Sequence, residues 1–308
     1  MWRLDTVDVQ FQGIPHAIAS YIIRQGNAVV MIETGPGSTV AGLAAGLAGL
    51  GLRPSDVTHV LVTHVHLDHA GAAGWMAQQG APVYVHHVGA PHLMDPSRLW
   101  ASATRIYGAQ MTPLWGQVWP IPAIQVHALH DGDVIDLGGG LQIVALDTPG
   151  HAWHHMAYQV EDICFSGDVA AARMPGYRHV RLPTPPPEID VPVWHQSVER
   201  LRRLSLRRLY LTHFGPVDDV PDHLAGVDTN LDAAAAYVLA SQQAGQERDA
   251  IVMNFSAWLA AQVALGDSPS PEGESLYELV IPSFMSVDGL LRFWRKANAE
   301  QGKLNTER

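Results

Sequence analysis

Residues 63–69 read Thr63-His64-Val65-His66-Leu67-Asp68-His69, so four of the six residues from His64 to His69 carry metal-binding side chains. An apolar stretch with the composition of a buried strand, 57–62, precedes the run, and Ala70-Gly71-Ala72-Ala73-Gly74 follows as a helix start. Imidazole and carboxylate groups suit zinc, iron and manganese. Four of them at one strand end are costly to desolvate unless they bind something. The competing explanation is a polar loop enriched by chance, in a chain with 17 histidines. It is disfavoured because His151, Asp168 and His213 recur downstream in similar contexts.

Working outward from this run, segments 17–23 and 28–33 read as strands joined by a turn at Gln25-Gly26-Asn27. Helical spacing covers 39–50 and 73–79, and 82–86 reads as a strand. A β-β-α-β-α-β order predicts a layered α/β fold with mixed sheets. Segment 94–118 is irregular; its Trp100, Tyr107 and Trp115 read as helix packing, with a pocket wall as the alternative. Strands return at 124–128, 134–137 and 141–146, then a hairpin at 157–160 and 162–165 ends in Ser166-Gly167-Asp168. A proline-rich loop, 175–187, a helix at 193–204 and a short strand at 209–211 lead into Thr212-His213. Beyond Pro216, helices are expected at 231–244, 250–264 and 287–297, with 266–273 as a polar linker and 300–308 as a frayed polar tail. These signals divide the chain into a metal-binding catalytic part, 1–216, and a mostly helical part, 217–308, for substrate binding or dimerisation.

The chain has 308 residues, with 47% hydrophobic and 16% charged, the balance of a globular protein. A net charge of −11 argues against a nucleic-acid binder, which needs a basic face. Arg202, Arg203, Arg207 and Arg208 form one short basic run, read as a solvated helix face. The single cysteine, Cys164, lies in an apolar segment and has no partner for an intrachain disulfide, which fits a reducing cytoplasm. The N-terminal residues Met1 to Asp5 lack a signal-peptide layout, and no uninterrupted apolar run reaches the roughly 18 residues of a membrane span. A cytoplasmic protein without membrane or nucleic-acid partners is therefore expected.

The ligand candidates share one context: an apolar strand ends, a turn with Gly, Pro or Thr follows, and a His or Asp sits at the exit. The set His64-x-His66-x-Asp68-His69, Thr148-Pro149-Gly150-His151, Ser166-Gly167-Asp168 and Thr212-His213 resembles the metallo-β-lactamase-fold hydrolase superfamily, and in particular its glyoxalase II-like branch. The resemblance covers roughly residues 17–216. It implies a four-layer αββα sandwich of two mixed sheets flanked by helices, with a helical C-terminal appendage. It also implies two divalent metal ions, zinc by preference, with manganese or iron as alternatives. His64, His66 and His151 would hold the first ion; Asp68, His69 and His213 the second; Asp168 would bridge them. Where the superfamily usually has Asp-Thr-Gly, this chain has Glu33-Thr34-Gly35, and Glu33 is expected to orient a metal-binding histidine. His154 and His155 are expected behind the ligands or at the surface.

The reaction implied is attack by a metal-activated hydroxide on a small thioester, lactone or phosphodiester, with Asp68 orienting the nucleophile or taking its proton. No Gly-x-Ser-x-Gly motif supports a serine nucleophile. Two other classes compete: a mononuclear iron oxygenase resembling persulfide dioxygenases, and a nuclease, which the acidic charge disfavours. For substrate contacts the loop after Asp168 nominates Arg173, Tyr177 and Arg178, with Arg181 beside them. Arg292, Trp294, Arg295 and Lys296 read as a solvated amphipathic helix, with anion binding as the alternative. The expected partner is a small-molecule substrate, with a homodimer also expected.

Overall fold

The structure, a computed structural model, describes residues 1–268 and 270–306. Among the described residues, twelve strands form two six-stranded sheets. The first contains β1 (Arg3–Asp8), β2 (Ala19–Gln25), β3 (Ala28–Ile32), β4 (His59–Leu61), β5 (Val83–His86) and β6 (Val126–Leu129), side by side in that order. The second contains β7 (Val134–Asp136), β8 (Gln142–Asp147), β9 (Met156–Val160), β10 (Ile163–Phe165), β11 (Arg208–Leu211) and β12 (Gly215–Val217), also in sequence order. Both are mixed: β3 to β6 pair in parallel in the first, and β10 with β11 in the second, while the other pairs are antiparallel.

The helices are α1 (Val40–Gly49), α2 (Leu67–Ala70), α3 (Ala73–Gln78), α4 (Ala90–Met94), α5 (Ser97–Tyr107), α6 (Met111–Trp115), α7 (Val191–Arg202), α8 (Val220–Gln243), α9 (Arg248–Gly266), α10 (Pro271–Val280) and α11 (Ser283–Thr306). Strand alternation sorts the side chains into layers. Along β2, Tyr21 and Ile23 join Ile32, Tyr158 and Phe165 in the core between the sheets, while Ile22 joins Met31, Val60 and Leu43 under α1. The far face of the second sheet, including Cys164 and Leu209, is covered by α7, α8, α9 and α11 through Trp194, Leu231, Phe255 and Leu290. The architecture is the expected αββα sandwich, each large buried aliphatic contributing about 1.5–3 kcal/mol.

The two sheets are tied together at one end of their inner strands. Ala19 N–H donates to Thr212 O at 2.9 Å and Met156 N–H to Thr63 O at 2.7 Å. The Tyr158 hydroxyl donates to Val62 O at 2.9 Å and the Tyr21 hydroxyl to Leu211 O. The chain therefore leaves β4 and β11, and enters β2 and β9, beside the same spot, where the ligand-bearing turns lie.

Several elements depart from the sequence reading. β1 was not expected, because its sequence Arg-Leu-Asp-Thr-Val-Asp is that of a charged edge strand. α5 occupies the segment read as irregular, α8 starts at Val220 rather than 231, and α10 fills part of the expected linker. The stretch 300–306 continues α11 rather than fraying, and 307–308 lie outside the described residues. α9 is also a correction: its 19 residues are long and apolar enough, by length and composition, to cross a membrane. Isolated polar residues such as Asn254 and Gln262 hid this from a search for an uninterrupted run. In the fold, its stripe Ile251, Phe255, Leu259 and Val263 packs into the core shared with α8 and α11.

Candidate metal centre

The turn after β4 carries His64 and His66, two residues apart, with His66 in extended backbone just before α2 begins at Leu67. The turn after β8 carries His151, the one after β10 carries Asp168, and the one after β11 carries His213. All seven expected ligands converge. His66 Nδ1 lies 2.9 Å from His64 Nε2 and 3.0 Å from His151 Nε2. Asp168 Oδ2 faces this set, 3.3 Å from His151 Nε2 and 3.9 Å from His64 Nε2. Its other oxygen, Oδ1, lies 3.3 Å from His69 Nε2 and 3.5 Å from His213 Nε2. Asp68 Oδ2 completes the second set, 3.7 Å from His69 Nε2 and 3.5 Å from His213 Nε2.

Hydrogen bonds behind the ring nitrogens decide what faces inward. His151 Nδ1 donates to Pro183 O at 2.8 Å and His213 Nδ1 to Ala17 O at 2.9 Å; a carbonyl only accepts, so Nε2 presents a lone pair in the neutral ring. Glu33, buried with φ +64°, accepts from the Thr63 hydroxyl at 2.5 Å, the Thr212 hydroxyl at 3.2 Å and His69 Nδ1 at 3.1 Å. With its proton committed to Glu33, Thr63 Oγ1 accepts from His64 Nδ1 at 3.0 Å. Glu33 thus fixes His69 directly and His64 through Thr63, as the sequence reading expected, and reaches one more histidine than that reading gave it. Of the two places expected for His155, the structure gives the one behind the ligands: it is fully buried, held by Thr148 Oγ1 at 2.8 Å, and its Nε2 accepts from the Asp168 N–H at 3.1 Å. The close approach needs Gly167 (φ +50°), where a Cβ would fall 2.6 Å from Thr63 Oγ1.

Lone pairs and carboxylate oxygens crowded together repel unless a cation lies between them. His69 Nε2 and Asp168 Oδ1 are both buried without a hydrogen-bond partner. Zinc holds nitrogen and oxygen ligands at about 2.0–2.2 Å in a tetrahedron, whose edges are then about 3.4 Å. The separations above match that edge, and the donor set of neutral imidazoles with carboxylates fits zinc, manganese or iron. Burial pushes the His64 imidazole well below its usual range and that of His66 down to about 3, so both are neutral ligands. Burial acts the same way on His69 and His213, but Asp168 and Asp68 beside them win and raise both. The carboxylates themselves are held low against burial, Asp68 at about 2, with His69 the largest opposing influence. The local field therefore favours positive charge at the second set. Replacing Glu33 by Gln is expected to weaken metal binding about 10–100-fold, read by chelator competition; an unchanged affinity would remove Glu33 from the account.

The ligands form the floor of a cavity of about 470 Å³. His66, Asp68, His151, Asp168 and His213 reach it. One wall comes from α5 and α6 (Leu99, Ile106, Leu114); Tyr107 and Trp115 pack in the core as expected and also line the cavity, while Trp100 packs against the core without lining it. The opposite wall comes from 183–187 and from the α10–α11 junction (Leu279, Phe284, Met285). Arg173, Tyr177 and Arg178 do not line it. Arg173 donates to Asp219 Oδ1 at 2.8 Å, the Tyr177 hydroxyl meets Ser270, and the Arg178 N–H donates to Asp267. The loop after Asp168 turns away from the floor to clamp the C-terminal helices, and returns as wall only at Pro183. Arg181 is buried against Glu278, which it meets at 2.9 Å.

The match to known proteins follows the same residues. The family model described as the metallo-beta-lactamase superfamily matches residues 13–213. A metallo-beta-lactamase fold-containing protein of Sulfurisphaera tokodaii is 28% identical over 207 residues, 66% of this chain and 75% of that protein. The same archaeal protein, solved under the name Sulfolobus tokodaii, superposes with a TM-score of 0.66 at 21% identity, over 93% of this chain and 97% of that one. An atrochrysone carboxyl ACP thioesterase of Aspergillus fumigatus is 27% identical over 204 residues, 65% of this chain, which spans about half (52%) of that protein. The glyoxalase II-like placement has a narrower basis, a hydroxyacylglutathione hydrolase of Shewanella pealeana, 29% identical over 109 residues, 35% of this chain and 31% of that one. By its ligand turns, its two sheets and the span of the family match, this chain belongs to the metallo-beta-lactamase superfamily.

Proposed function

We infer that the chain is a dinuclear metal-dependent hydrolase of small thioesters or esters with an apolar acyl group. The observation that carries this is the inward convergence of two ligand sets, shared through Asp168, on the floor of an apolar cavity. His64, His66 and His151 would hold one ion and Asp68, His69 and His213 the other. Ions so held supply a nucleophile from water at neutral pH and Lewis-acid stabilisation of the oxyanion. The protein's own residues do the rest. Asp68, kept ionised with a carboxyl held at about 2, is suited to orient a water by accepting its hydrogen bond rather than to carry the proton away. Leu99, Ile106, Phe284 and Met285 exclude water and bind the acyl chain. Hydrolysis of a thioester breaks the C–S bond, places the water oxygen on the acyl carbon and leaves the proton on the thiol.

Among the described residues the cavity lining contains no lysine or arginine, which supports a neutral acyl group over a phosphodiester or nucleic acid. The thioesterase relative supports the thioester. A cytoplasmic setting belongs to the same reading, on the strength of the single buried Cys164. The test is a panel of acyl thioesters, lactones and phosphodiesters with the metal-loaded protein. Across the thioesters, kcat/KM is expected to rise up to about fourfold per added methylene until the cavity fills. A preference for phosphodiesters, or no dependence on acyl length, would overturn the reading.

A further inference from the structure

A second concave surface shares two residues with the cavity. Pro186 and Pro187 line the cavity and also an open groove, which is otherwise formed by Asp288, Arg292, Phe293, Arg295 and Lys296 of α11. Arg292 is fixed to the shared wall, its Nε donating to Pro187 O at 3.2 Å, and Arg295 Nε donates to Leu291 O at 3.2 Å. The carboxylate in the groove is already engaged: Arg248 meets the two oxygens of Asp288 at 2.7 and 2.6 Å. Among the described residues neither Arg292 nor Arg295 pairs with a carboxylate, and Lys296 adds a third exposed cation.

This grouping stands out in a chain of net charge −11. The other basic run is neutralised: Arg202 and Arg203 by Glu199, Arg207 by Asp162, Arg208 by Asp218. Two planar guanidinium groups and an ammonium in one groove suit a ligand with several phosphate oxygens better than one with a lone carboxylate. The polarity is divided across the proline wall: among the described residues no lysine or arginine lines the cavity, and three line the groove.

We propose that the groove binds the phosphate end of a phosphorylated pantetheine-type thiol carrier, whose acyl thioester reaches past Pro186 and Pro187 into the cavity. The proposal rests on the thioester reading above and names the carrier for it. The metal-floored cavity takes the acyl group; α11 selects what the acyl group is attached to.

The test compares the full-length protein with its Arg292→Gln/Arg295→Gln variant. By calorimetry at low salt, free coenzyme A is expected to bind the variant roughly tenfold more weakly, while unphosphorylated pantetheine binds both proteins alike. In kinetics, KM for an acyl-coenzyme A rises by the same factor with kcat unchanged, and the same acyl group on N-acetylcysteamine shows no difference. Added salt is expected to erase the advantage of the unmodified protein. Equal coenzyme A affinity in both proteins would overturn the proposal. So would glutathione binding as tightly as coenzyme A with the same loss in the variant, because that would assign the groove to carboxylates. If coenzyme A binding depends on the arginines but no thioester is hydrolysed, the groove stands and the thioesterase reading fails.

Discussion

Asp168→Asn is expected to lower kcat/KM by at least about 10³-fold, about 4 kcal/mol of transition-state stabilisation. Among the described residues Asp168 is the one side chain that faces both candidate ligand sets, with one oxygen toward His64 and His151 and the other toward His69 and His213. An asparagine keeps the shape but gives up the negative charge and turns one acceptor into a donor, so one set meets an N–H where it needs a lone pair. The backbone N–H that holds the residue on His155 is untouched, so the turn keeps its course. The check is kinetics together with metal content: bound metal is expected to fall to one ion or fewer per chain. A variant with unchanged rate and content would show that the two sets are not joined through this residue.

Trp194→Ala is expected to destabilise the protein by about 3–5 kcal/mol and to lower Tm by roughly 10 °C. Trp194 is fully buried on α7, whose first turn is capped by Asp190 accepting from Val193 N–H. Its indole N–H donates to Val169 O at 2.8 Å, next to Asp168, and its ring meets that of His151 edge-on at 5.5 Å between centroids. The backbone before His151 is seated on it: a Cβ on Gly150 would lie 2.3 Å from Trp194 Cα. Alanine leaves a cavity and an unpartnered carbonyl behind two candidate metal ligands at once. Metal affinity is therefore expected to fall along with Tm, and the Tm difference should be larger with metal bound than after chelation. Calorimetric melts of both forms check this. A loss of only a degree or two, equal in the two states, would detach the α7 contact from the centre.

The candidate metal centre was legible in the sequence because each candidate ligand lies in a short motif at the exit of an apolar strand. His64, His66 and His69 declare themselves by spacing, and Thr148-Pro149-Gly150-His151 by the turn that precedes the ligand. Glu33 was legible as a departure, since one extra methylene in a familiar position asks for a compensating contact, and Thr63, Thr212 and His69 provide it. The cavity walls were not legible. They come from three segments far apart in sequence, near Leu99, Pro183 and Met285, and only the sandwich brings these together. α10 was hidden by the polar residues at its start, Glu272 and Glu274, which favour a helix N-terminus by their charge but read as a linker by their polarity. The substrate residues Arg173 and Arg178 were misplaced for a related reason. Leaving the metal turn fixes where a loop starts and says nothing of where its side chains end, and here Asp219 and Asp267 draw the loop to the C-terminal helices.

The most direct test is elemental analysis of the protein purified without added metal, alongside His66→Ala. About two zinc or manganese ions per chain, reduced in the variant, is the predicted result. A single iron per chain accompanied by oxygen uptake with a thiol persulfide, or no bound transition metal in either protein, would contradict the dinuclear hydrolase.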